Sequence, residues 1–186
     1  MRIFCSLAVL FYCIILMVMF CTTGIAEEKE EKLKIGMEAP DFKLQDAEDK
    51  DYKLKEMKGN VVILIMGNRK TRKETDKWAE AIKKDYPKQE DLKIFMIADM
   101  RGVPWFIPKG FIKGWLKREK PPATLLLDWS GKTHIVYKTQ KKKPDVFIIS
   151  KAGTIAYRIN ANYDDETYKK MKVEIKKSTT ESNQVK

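Results

Sequence analysis

No cysteine occurs after residue 21. The three in the chain, Cys5, Cys13 and Cys21, share one apolar N-terminal stretch, and Thr22 to Lys186 carries no thiol. Disulfides, thiolate metal ligands and cysteine nucleophiles are therefore excluded from everything beyond that stretch. Histidine is almost as scarce. With His134 alone, a transition-metal cluster cannot be assembled from the usual ligands, and a serine or threonine nucleophile would have a single candidate base. Ser130, four residues before it in a turn, gives no reason to suspect catalysis, and His134 reads as a partly exposed strand residue. The sequence holds no G-x-x-x-x-G-K-[ST] or G-x-G-x-x-G phosphate loop and no G-x-S-x-G elbow. An EF-hand pattern is also missing, which leaves only some other carboxylate site open to calcium. No metal and no cofactor is expected.

What the sequence does have begins with apolar residues from Ile3 to Phe20, broken only by Ser6 and the weakly polar Cys and Tyr side chains. Arg2 precedes the run, and Thr22, Thr23, Gly24, Ile25 and Ala26 follow it. A positive start, an apolar run and a small-residue exit read as a secretory signal, residues 1–26, cleaved after Ala26. The run also approaches the about 20 residues of a membrane span, so an uncleaved anchor is the alternative. Either way the domain is exported, to the periplasm or cell envelope. Bulky Met19 and Phe20 before Cys21 argue against a lipid anchor there.

The formal charge is +11, from 37 basic and 26 acidic residues. Such a balance favours acidic partners. Nucleic acid is excluded by export and by the absence of any binding motif, and a membrane is expected to meet the chain only through the N-terminal segment, if uncleaved. Residues 27–34 form a charged linker, 35–177 one domain, and 178–186 a polar tail.

Within the domain, Val61 to Met66 is a continuous apolar run flanked by Gly59-Asn60 and Gly67-Asn68, as suits a central strand buried on both faces. Thr71-Arg-Lys-Glu74 then has the form of a capping box and starts a helix whose Trp78, Ile82 and Tyr86 share a face; Pro87 ends it. Leu92 to Ala98 is a second strand, parallel to the first through a right-handed crossover. A helix beginning near Pro108 is expected to pack Phe111, Ile112, Trp115 and Leu116 on the sheet. Ala123 to Leu127 reads as a third strand. Thr133 to Thr139 fits either a strand or a short helix. Val146 to Ile149 and Thr154 to Ile159 form a hairpin, and Asp164 or Asp165 caps a last helix carrying Tyr168, Met171 and Ile175.

This ordering resembles the thioredoxin-like superfamily, in its redoxin branch of peroxiredoxin-like and TlpA-like proteins. Gly36-Met-Glu-Ala-Pro-Asp-Phe42 with Leu44 looks like that branch's G-x-x-A-P-x-F-x-L entry motif. Leu54 to Gly59 with Val61 to Met66 resembles the element that follows, and Lys143-Pro144 through Gly153 is similar to a cis-proline loop entering a strand and turn. The periplasmic YtfJ-like proteins are a closer comparison. The resemblance implies an α/β fold of three layers, a central mixed sheet flanked by helices. It also places Asn68 and Thr71 where redox-active relatives hold cysteines at the start of a helix, and makes Pro144 the cis-proline candidate. Neither Asn68 nor Thr71 can form a disulfide or sulfenic acid.

In that fold the loop with Arg69, Lys70, Arg72 and Lys73 would face Lys141, Lys142 and Lys143. A cationic face for an acidic protein or an anionic envelope ligand is the expected consequence. Trp105 and Phe106, set in a loop by Gly102 and Pro104, are candidate exposed contacts. The leading expectation is an exported, non-catalytic binding or accessory module. A redoxin-type antioxidant or thiol-disulfide oxidoreductase, implied by the resemblance but opposed by the missing thiols, is the alternative. A hydrolase or isomerase using other groups has no residues to name.

Overall fold

A computed structural model describes residues 33–87 and 91–180; the expected signal or anchor, most of the charged linker and the last residues of the tail lie outside them. The strands are β1 (Lys43–Gln45), β2 (Asp51–Lys53), β3 (Val61–Asn68), β4 (Leu92–Asp99), β5 (Thr124–Asp128), β6 (Asp145–Ile149) and β7 (Ile155–Asn160). The helices are α1 (Arg72–Asp85), α2 (Lys109–Glu119), α3 (Lys132–Val136) and α4 (Asp165–Thr180), with a 3₁₀ turn at Leu54–Met57. They build one mixed sheet of order β2-β1-β5-β4-β3-β6-β7. Strands β3, β4 and β5 run parallel, and β6 lies antiparallel to β3. Among the described residues, no helix is long and apolar enough to cross a membrane.

The thioredoxin-like expectation for the fold is met. Val61 to Gly67 is buried throughout, because layers cover both faces of the central strand. On one face Val61, Ile63 and Ile65 meet Trp78 and Ile82 of α1 and Met171 and Ile175 of α4. On the other, Val62, Leu64 and Met66 meet Phe147, Tyr137 and the entry segment's Ala39 and Phe42.

The entry motif has a local reason. Gly36 takes φ +91, a left-handed conformation that disfavours any side chain, and its N–H donates to the Ile155 carbonyl at 2.8 Å while Ile155 N–H returns to Met37 at 2.8 Å. The segment thus lies against the start of β7, with Ala39 and Phe42 dropped into the core and the Pro40 carbonyl accepting the buried Tyr137 hydroxyl at 2.7 Å. The Ser150–Gly153 turn closes the expected β6–β7 hairpin through Gly153 N–H to the Ser150 carbonyl at 2.9 Å.

Several expectations need correction. Thr133 to Thr139, which fits either strand or helix in sequence, holds the greater part of helix α3. His134 is a helix residue, 3% exposed, and not a partly exposed strand residue. On α2 only Leu116 is buried; Phe111 is 67% and Trp115 41% exposed. Two aromatics on a single-turn spacing look like a core stripe, but this stripe points partly away from the sheet. The strands β1 and β2, too short for a legible alternation, were not foreseen.

Candidate functional site

The carboxyl ends of the three parallel strands lie level. Asn68 pairs in register with Asp99, and Asp99 with Asp128. In open α/β sheets, ligands bind in the crevice outside this end of the strands. The loops leaving it carry most of the side chains singled out in the sequence.

Asn68 and Thr71 meet directly. The Asn68 N–H donates to Thr71 Oγ1 at 2.9 Å, and the Thr71 hydroxyl and N–H both point back at the Asn68 carbonyl, at 3.2 and 3.0 Å. Asn68 Oδ1 accepts the Lys70 N–H at 2.8 Å, the side-chain turn that asparagine favours. Both residues therefore serve the turn that launches α1. The expected capping box is not formed. Thr71 makes no side-chain cap bond, because its hydroxyl is spent on Asn68. The Glu74 carboxylate turns outward to accept Lys77 Nζ at 2.7 Å and the Tyr163 N–H at 3.0 Å, the Lys77 bond foremost in holding its pKa below the usual carboxylate value.

Gly67 permits this closeness. A Cβ there would stand 2.6 Å from both Thr71 Oγ1 and Thr75 Cγ2.

The lysine loop is joined to this turn by one bond, Asn68 Nδ2 donating to the Lys141 carbonyl at 3.0 Å. Its other anchor is Asp145, fully buried at the start of β6. Asp145 accepts the Gln140 N–H at 2.7 Å, Asn160 Nδ2 at 3.0 Å and Arg158 Nη2 at 3.1 Å. Arg158 also donates to the Lys138 carbonyl, and Asn160 to those of Lys143 and Pro144. A buried charge matched this fully makes a rigid support, and it holds three consecutive exposed lysines, Lys141 to Lys143, beside α1. The cis-proline expectation fails: among the described residues no peptide bond is cis. The loop is tied off by Asn160 and Asp145 without the isomer, and trans is the form an X–Pro bond intrinsically favours, by about 0.5–1 kcal/mol.

Of the seven expected cations, six are exposed without a carboxylate partner among the described residues: Arg69, Lys70, Lys73, Lys141, Lys142 and Lys143. Arg72 departs from the expectation. It is half-buried, pairs with Glu119 at 2.8 Å, and lies 4.8 Å from the Trp115 ring centre. Its role is to tie α1 to α2.

Two acid pairs beneath this face were not foreseen. Arg101 clasps Asp99 with Nε and Nη2 at 2.9 and 2.6 Å, so the guanidinium keeps that carboxyl below its usual range. Asp128, wholly buried, accepts both the N–H and the ring Nδ1 of His134 at 3.0 Å. Burial alone would raise the Asp128 carboxyl, but these bonds together outweigh it and hold the pKa down. His134 Nε2 is the one buried side-chain nitrogen or oxygen without a partner among the described residues. A carboxylate closing each of two apolar strands was the available signal for these pairs. For the lysine-loop support, the signal was a charged Asp145 at the mouth of an apolar run.

The aromatic candidates are as exposed as expected, Trp105 at 95% and Phe106 at 67%. They occupy the middle of a turn closed by the Ile107 N–H on the Pro104 carbonyl at 3.0 Å, with their ring centres 6.1 Å apart.

A model of the AhpC/TSA family matches residues 35–158. Among solved structures, the chain is similar to a protein named as thiol:disulfide interchange protein DsbE from Chlorobium tepidum: 19% identity, TM-score 0.63, covering 79% of this chain and 99% of that one. It is also similar to the pneumococcal exposed lipoprotein thioredoxin from Streptococcus pneumoniae, with 20% identity and TM-score 0.57 over 71% of this chain and 97% of that one. A peroxiredoxin-like protein from Aquifex aeolicus has 19% identity and TM-score 0.56, covering 77% and 89%. None of the curated proteins compared matches. These structures share the thioredoxin-like fold, and the family model spans more than half of the sequence: the chain belongs to the AhpC/TSA family.

Proposed function

We propose that this protein is a non-catalytic member of its family that binds an acidic protein or an anionic envelope ligand through the cationic face where redox-active relatives would carry cysteines. The observation that carries the reading is the Asn68–Lys141 hydrogen bond, which joins two cationic loops distant in sequence at the head of α1. The two loops carry six exposed cations without carboxylate partners among the described residues. Exposed like charges repel one another and weaken the isolated fold slightly, so a partner of opposite charge gains from all of them together. The position offers no nucleophile of the family's kind, since both candidate residues are engaged in the turn. Export to the envelope belongs to the same proposal. It is supported by the character of residues 1–26 and by the name of the exposed lipoprotein thioredoxin.

The alternative, thiol chemistry, is favoured by the family alone. One experiment separates the two. The described residues from Leu33 onward contain both cores and the entire sheet, so the chain from Leu33 to Lys186 is the unit to test, its native fold checked first by a cooperative melting transition. Immobilised, this unit should capture an acidic partner from envelope extract, lose it on K141E/K142E/K143E charge reversal, and turn over neither peroxide nor a disulfide substrate. Equal capture by the charge-reversed variant would overturn the binding reading, and thiol-type turnover the non-catalytic one.

A further inference from the structure

The aromatic turn and the lysine loops occupy the same end of the molecule. The turn leaves β4 at Asp99, directly beside the point where the cationic loop leaves β3 at Asn68. Helix α2, which follows the turn, is tied to this end at both extremities. Lys109 in its first turn lies 5.2 Å from the ring centre of Trp129, just past β5, and Glu119 at its last residue pairs with Arg72 at the start of α1. Trp115, half-exposed, lies over Arg72 at this end, and Phe111 on the same helix is largely exposed.

Three features separate this surface from an ordinary solvated face. Its leading apolar groups, Trp105 and Phe106, are large and adjacent in the chain, whereas singly scattered apolar side chains need no explanation. Trp105 stands out almost entirely into solvent on a hydrogen-bonded turn, so the patch is convex; a protein partner would have to supply a matching pocket, while a lipid headgroup layer yields to any projecting shape. The cations of the two loops are in excess there, because the nearby carboxylates are engaged elsewhere, Asp99 with Arg101, Glu119 with Arg72 and Asp49 with Lys113, while Arg69, Lys70, Lys73 and Lys141 to Lys143 have no carboxylate partner among the described residues. Aromatic rings among lysines are the composition of surfaces that lie in a membrane interface, where rings enter the headgroup region and cations meet lipid phosphates.

We infer that the anionic partner is a lipid surface. The carboxyl end of the sheet docks on an anionic bilayer, Trp105 and Phe106 enter the headgroup region, and the cations of the two loops rest on phosphates. This deepens the proposed function and rests on its cationic face. It also extends the contact with a membrane beyond the N-terminal segment.

The test uses the Leu33–Lys186 unit, which lacks the apolar N-terminal run, with vesicles of phosphatidylcholine alone or mixed with phosphatidylglycerol. The unit should sediment with the mixed vesicles and not with the neutral ones, and acyl-brominated phosphatidylglycerol should quench its tryptophan fluorescence. W105A/F106A changes only exposed side chains. It should retain the native melting temperature and lose the quenching, and its vesicle affinity should fall about tenfold or more, as expected for withdrawing two large rings from an interface. Undiminished binding by this variant would overturn the docking geometry. Failure of the native unit to bind mixed vesicles, while K141E/K142E/K143E still abolishes capture of an acidic protein, would overturn the lipid inference and leave the proposed function standing. Loss of neither interaction on charge reversal would overturn both.

Discussion

Asp128 shows how much one residue can hold together at the edge of this site. Its carboxylate receives the amide and ring of His134 and the Ser130 hydroxyl, at 3.0, 3.0 and 3.2 Å. Asp128→Asn would confront some of these donors with an amide N–H₂. The expected cost is about 1–3 kcal/mol at neutral pH, read from urea unfolding; an unchanged midpoint would mean that the pair is dispensable. The folded-state pKa of Asp128 is depressed, so its contribution is complete above the unfolded value of about 3.9 and drains away as pH falls through the lower folded value. The gap between native and D128N stability should therefore be constant from neutral pH to about pH 5 and narrow below about pH 4. A gap that widened on acidification would contradict the assigned sign.

Elements record a second kind of dependence, in which a short motif marks a boundary correctly while its bonds differ from those expected. Thr71-x-x-Glu74 does stand at the start of α1, yet its hydroxyl bonds to Asn68 and its carboxylate to Tyr163, because the end of β3 and the approach to α4 are nearer partners. Gly67→Ala would press a methyl against Thr71 and Thr75, both buried, and is expected to lower stability by about 1–3 kcal/mol. Adding Thr75→Ser should recover part of that loss by removing one of the two obstructing atoms; no recovery would place the strain elsewhere. At the other end of the chain the sequence-level cap is realised: Asp164 accepts the Thr167 N–H at 2.8 Å and its hydroxyl at 2.7 Å. Asp164→Ala should cost about 1 kcal/mol in thermal or urea unfolding. Helix α2 is the converse case. Its periodicity was legible, but which residues would be covered depended on how the helix is seated against Arg72 and Trp129.

For the whole molecule the governing quantities are the net charge of +11 and the six exposed cations of the two loops. Surface charge acts over about 10 Å at 0.1 M salt and about 3 Å at 1 M. Binding through Arg69, Lys70, Lys73 and Lys141 to Lys143 should therefore weaken steeply as salt rises, whereas insertion of Trp105 and Phe106 into vesicles should leave a salt-resistant remainder. Measuring partner capture and vesicle sedimentation across a salt series checks both. Salt-independent capture would remove electrostatics from the account, and a vesicle interaction wholly abolished by salt would remove the aromatic turn.

The order of residues alone determined the buried central strand, the entry motif, the β6–β7 hairpin and the lack of any thiol after residue 21. These are properties of neighbours in the chain, carried by apolar runs, glycine conformations and residue identity. Tertiary structure alone decided that Asn68 would clasp Lys141, that Asp145 would gather Arg158 and Asn160 under the lysine loop, and that His134 would be buried against Asp128. It also left Phe111 and Trp115 at the surface. Partners brought together by the folding of a sheet are separated in sequence by distances that no local pattern encodes, and burial is settled by which neighbour arrives to cover a face.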